Sequence, residues 1–139
     1  MRAPHFVRLA EIDEQRFISA CRHGLVHLTW GRATVRLMRD EFRSLANLLE
    51  GVARTPPPSS ARNGQIEVSA RLDGDGELRV GAFLLLLSPR EFQELTAAAL
   101  EAVGRLDHLL ASGVWDEDEE EDAPTDFRDP IPRTPFSDN

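Results

Sequence analysis

The chain has no lysine and no tyrosine, a single cysteine, and no long apolar run. Each absence removes a class of chemistry. Without lysine there is no Schiff base and no P-loop lysine, and without tyrosine there is no phenolic acid. A lone Cys21 excludes an intramolecular disulfide and a multi-cysteine metal site. No apolar stretch reaches the roughly 18–20 residues that span a bilayer, and Met1-Arg2-Ala3-Pro4-His5 does not open a signal-peptide core. These features predict a protein of a reducing, bacterial-type cytoplasm. All sixteen cationic side chains are arginine, which fits a GC-rich coding bias better than a selected function.

What is present is unevenly distributed. From Asp116 onward, ten acidic residues face two arginines, a net charge of −8, whereas residues 1–115 hold fourteen of each sign. The whole formal charge therefore sits on the last 24 residues. A neutral body with an acidic tail lacks the basic surface that releases counterions from phosphates, so neither nucleic acid nor membrane is the expected partner. An acidic mimic of nucleic acid is a weak reading, because the acidity is confined to the tail.

Displaced by 50 residues, the chain aligns on itself without a gap. Ser19-Ala20 falls on Ser69-Ala70, Gly24 on Gly74, Leu28 on Leu78 and Gly31 on Gly81. Leu37 falls on Leu87, Glu41-Phe42 on Glu91-Phe92, and Leu45 on Leu95, giving nine identities over positions 19–45. Repeats of this length mark a reused supersecondary unit. The expected fold is α+β: a tandem β-β-β-α duplication with antiparallel sheet, two helices packed on one face, and a pseudo-twofold relation. The units are placed at 1–53, with an added N-terminal strand over His5–Ile12, and at 65–113. Proline-rich residues 54–64 are read as a linker, and 114–139 as an acidic, proline-containing tail that is disordered or partner-bound.

Within each unit the elements read alike. Phe17–Arg22, Leu25–Trp30 and Ala33–Leu37 are predicted strands, matched by Ile66–Leu72, Glu77–Val80 and Phe83–Leu87. His23-Gly24 and Asp73-Gly74 supply the hairpin turns. The second helix opens on a capping box, with Ser88, Pro89 and Glu91. Its apolar face is Phe92, Leu95, Ala99, Ala102 or Val103, Leu106 and Leu110; the first helix carries Phe42, Leu45, Leu49 and Val52. A two-residue His23-Gly24 turn pairs Arg22 with Leu25. It would set Phe17, Ser19, Cys21, Val26, Leu28 and Trp30 under the helix, with Ile18, Ala20, Arg22, Leu25, His27 and Thr29 opposite.

Three features distinguish the copies. Phe83-Leu84-Leu85-Leu86-Leu87 is apolar on both faces, where the first copy has Thr34 and Arg36 outside. Leu84 and Leu86 are thus predicted to lie under a second layer, from another subunit or from the other half of the chain. Each buried leucine would contribute about 1.5–3 kcal/mol. A homodimer is the expected assembly.

Cys21, His23 and His27 form the sole cluster of soft metal-ligand residues in the sequence. The strand reading sends Cys21 and His27 to opposite faces, so no metal and no cofactor is expected; these three residues remain the alternative, a metal- or ligand-binding protein. Asp73-Gly74-Asp75-Gly76-Glu77 lacks the further ligands of a calcium loop and reads as a turn. Glu91, Glu94, Glu101 and Asp107 read as a solvated helix face, and no nucleophile–base arrangement is visible.

Finally, Trp115 precedes the acidic block 116–122, and Phe127, Ile131 and Phe136 follow among prolines, as in a linear docking motif. The sequence therefore points to a non-catalytic interaction module, an adaptor or accessory subunit. Leu84, Leu86, Trp115, Phe127, Ile131 and Phe136 are its predicted contacts with a protein partner.

Overall fold

A computed structural model describes residues 6–113. Eight strands and two helices occur in the order β1 (Phe6–Asp13), β2 (Arg16–Cys21), β3 (Leu25–Trp30), β4 (Ala33–Met38), α1 (Arg39–Arg54), β5 (Ser59–Asn63), β6 (Ile66–Ala70), β7 (Gly76–Val80), β8 (Phe83–Leu87) and α2 (Pro89–Ala111). They form two antiparallel four-stranded meanders, β1-β2-β3-β4 and β5-β6-β7-β8, each followed by a helix. The fold is α+β.

Each unit is therefore β-β-β-β-α, with one strand more than the repeat predicts for the second copy. The extra strand, β5, occupies the latter part of the segment read as linker. Its sequence, Ser59-Ser60-Ala61-Arg62-Asn63, has no apolar alternation, and it pairs only with β6 at the sheet edge. Both helices begin 50 residues apart, at Arg39 and Pro89. At both starts a glutamate reaches back: the Met38 N–H donates to Glu41 Oε1 at 2.8 Å, and the Ser88 N–H to Glu91 Oε1 at 2.9 Å. Ser88 Oγ also accepts from the Glu91 N–H at 3.1 Å, completing the box.

The hairpin turns set the register. The Gly24 N–H donates to the Cys21 carbonyl at 3.2 Å, and Gly24 has φ of 99°. This is a three-residue connection in which glycine occupies the left-handed position that completes the turn. Ala20 consequently pairs with Val26 and Ile18 with Leu28, one residue out of step with a two-residue turn. A shift of one inverts a strand's faces. Ile18 and Ala20 thus point into the core with Val26, Leu28 and Trp30, while Phe17, Ser19 and Cys21 point outward: β3 is oriented as predicted and β2 is reversed.

The helices exchange sheets. α1 packs chiefly on β5 and β6 of the second sheet, and α2 chiefly on β1 and β2 of the first, with the helices also packed on each other. One core results, containing Leu9, Ile18, Val26, Leu28 and Leu37 from the first sheet and Ile66, Val68, Leu78 and Leu87 from the second. Phe42, Leu45 and Leu49 of α1 and Phe92, Leu95, Ala99 and Leu106 of α2 fill the space between. Polar links reinforce the exchange. Arg16 on β2 joins Glu94 on α2 at 3.0 Å, Asn63 on β5 donates to Ser44 on α1 at 2.7 Å, and Arg43 on α1 pairs with Asp107 on α2. Arg16 also pairs with Asp13 at 2.8 Å and lies 5.1 Å over the Trp30 ring.

Candidate functional site

Because both helices cover inner faces, the outer faces of both sheets lack a second layer among the described residues. β8 is where this matters most. Its alternation sends Leu85 and Leu87 inward, and leaves Leu84 44% and Leu86 63% exposed. Their cross-strand neighbours are Arg79 and Glu77, and β8 is the terminal strand, so its backbone edge is unpaired within the described residues. The equivalent positions on β4 are Thr34 and Arg36, paired with Thr29 and His27. Among the described residues, the other half of the chain does not supply the covering layer predicted from sequence; its helix, α1, packs on the inner face of this sheet.

The first sheet's outer face holds a different surface. Cross-strand register aligns Arg8 with Ser19, Ser19 with His27, and His27 with Arg36. Phe6 meets His27 edge-on at 5.4 Å between ring centroids, and the Arg8 guanidinium lies 3.6 Å over the Phe17 ring. Phe6, Arg8, Phe17, Ser19, His27, Thr29 and Thr34 line an open hollow of about 460 Å³. Burial, and secondarily the nearby Arg36 charge, hold His27 below its ordinary pKa. Its Nε2 is buried with no hydrogen-bond partner among the described residues. Sequence reading missed this hollow because the shifted register places Phe17 and Ser19 beside His27 rather than under the helix.

The same shift corrects the cysteine–histidine geometry. Cys21 and His27 lie on one face, not on opposite faces, and His23 sits exposed in the turn. Cys21 is buried, opposite Phe6 of β1. Even so, no group of three or more His, Cys, Asp or Glu side chains among the described residues is placed to hold a metal. The aspartates of the 73–77 turn work locally: Asp73 Oδ1 accepts from the Asp75 N–H at 2.9 Å, and Asp75 pairs with Arg71 at 3.1 Å. The helical carboxylates are likewise engaged, Glu91 in its cap, Glu94 with Arg16, Glu101 with Arg105 at 2.8 Å and Asp107 with Arg43.

A second concavity, of about 490 Å³, lies where β1 meets the end of α2, lined by Val7, Leu9, Gly104, Leu109 and Ser112 together with Arg8, Arg105 and His108. Trp115, Phe127, Ile131 and Phe136 lie outside the described residues. No helix among the described residues is long and apolar enough to cross a membrane. Compared with known proteins, the chain matches no family model, no curated sequence and no solved structure.

Proposed function

We propose that this protein is a non-catalytic interaction module, an adaptor or accessory subunit, that self-associates through the outer face and edge of β8. The observation that carries this reading is the exposure of Leu84 and Leu86 on a terminal strand. An apolar strand of this kind offers both backbone hydrogen bonds and side-chain burial to a copy of itself. Pairing β8 with its counterpart across a twofold would join the two second sheets and satisfy both edges. Arg79 and Glu77, beside the leucines on β7, carry opposite charges and so add no net charge to that face.

The first unit, with Thr34 and Arg36 at the matching positions, lacks this adhesive strand. The segment beyond residue 113 acts as a docking or regulatory motif for a protein partner. Light scattering on the wild type and on Leu84→Glu and Leu86→Glu proteins tests the assembly. Loss of the dimer in both variants supports it, and a wild-type monomer refutes it.

The hollow on the first sheet supports a second reading, a small-ligand site for an anionic, ring-containing compound. Its arginine, imidazole and phenyl groups suit such a ligand. Perturbation of the His27 ring resonances by a panel of aromatic carboxylates would favour it; unchanged spectra across the panel would leave the interaction reading alone.

A further inference from the structure

The cleft between β1 and the end of α2 is an apolar site with a defined tether beside it. Val7 and Leu9 of β1 form one wall, and Leu109 with the Gly104 backbone forms the other. A Cβ placed on Gly104 would meet nothing within 4 Å, so the helix side of the cleft is open where a larger residue would close it. The described chain ends at Gly113, immediately after the α2 turn whose Ser112 lines this same cleft. Trp115 follows Ser112 by three residues, a reach of about 10 Å when extended. An indole is the large apolar group nearest to the opening along the chain.

Charge selects the same corner. The first sheet's span, residues 6–38, carries five arginines against three carboxylates; the second sheet's span, 59–87, carries three against four. The segment 116–122 is wholly acidic. Arg8 and Arg105 are among the cleft's lining residues, the Arg8 guanidinium also lying over the Phe17 ring on the outer face of the first sheet. Each already has one carboxylate on its own element, Glu11 at 3.1 Å and Glu101 at 2.8 Å. A guanidinium with five donors has capacity for another acceptor.

From the tether, the open cleft and the charge match, we infer that the chain's own tail docks on its body, with Trp115 seated in the β1–α2 cleft and the acidic block 116–122 laid beside Arg8 and Arg105. The docked block runs from α2 across the edge strand β1 and blunts that edge against pairing with other chains. It also holds the start of the tail on the first unit, away from β8, so Phe127, Ile131 and Phe136 project from a fixed corner. This goes beyond the β8 reading and stands whether or not β8 self-associates.

The test is acrylamide quenching of Trp115 in the full-length protein, taken as the difference between wild type and Trp115→Phe because Trp30 also emits. The expected result is a blue-shifted Trp115 emission with a several-fold lower quenching constant than a free tail peptide, unchanged on hundredfold dilution. Gly104→Leu, which favours the helix and fills the cleft, is expected to raise Trp115 quenching to the peptide's value with an unaltered circular dichroism spectrum. Arg8→Glu is expected to raise it in part, and less so at high salt. Peptide-like quenching in the wild type overturns the inference. So does protection that disappears on dilution, which assigns the indole to another copy, or protection that survives Gly104→Leu.

Discussion

At Gly76 the second unit gives up a side chain so that a helix can sit down. A Cβ there would lie 2.5 Å from Phe92 Cδ1, far inside contact distance. The matching position of the first unit is Val26, so this glycine is not demanded by the repeat but by the placement of one ring. Gly76→Ala is expected to lower stability by about 1–3 kcal/mol, the usual cost of overpacking, in urea denaturation. Combining it with Phe92→Leu should recover part of that loss. His27 supplies a second residue-scale expectation. Its folded pKa is lowered, so below pH about 6.5 the unfolded chain takes up the proton first and stability falls as pH drops toward the folded value. Above that window the group is neutral in both states and has no effect. Urea midpoints followed across it should decline in the wild type and stay level in His27→Gln, apart from the carboxylate losses at lower pH.

At the scale of elements, the two helix starts have nearly the same backbone but different chemistry. Met38 has φ −65° and ψ 160°, and Ser88 has φ −66° and ψ 166°. Ser88 uses its hydroxyl to cap; Met38 has none to use. Met38→Ser should therefore stabilise α1 by about 1 kcal/mol, and Ser88→Ala should cost α2 a similar amount, both read from denaturation midpoints. Element identities were largely legible in the sequence. The 50-residue offset, the helix faces and Glu41 and Glu91 all state their roles locally. The misread places share one cause, that their structure depends on a neighbour. β5 is polar because it is an edge, and only its partner β6 makes it a strand. The His23-Gly24 turn is compatible with either connection length, and one residue of difference reversed β2. That reversal hid the hollow around His27 and placed Cys21 on the wrong face.

For the whole molecule, the exchange of helices is the organising feature, and no single-unit sequence pattern encodes it. Phe42, Leu45 and Leu49 would be buried equally well on their own sheet or on the other. The structure chooses the other, and links the choice with Arg16 to Glu94 and Arg43 to Asp107. Neither unit can then cover its own sheet, and each is near the size at which an isolated core fails. Residues 1–55 alone are expected to be unfolded or self-associated by circular dichroism and gel filtration. Mixing them with 56–139 should restore a cooperative transition; a monomeric, cooperatively folding 1–55 would contradict the exchange. Among the described residues, exchange leaves both outer sheet faces uncovered, and the two copies have diverged there, toward arginine, histidine and phenylalanine on one and toward leucine on the other.

If the leucine face of β8 is an assembly surface, the solution mass of the protein depends on it. Light scattering at micromolar concentration, on the wild type and on a Leu84→Glu, Leu86→Glu double variant, reads that mass. A wild-type dimer and a folded monomeric variant are expected. A monodisperse monomer in both would rule out assembly through β8.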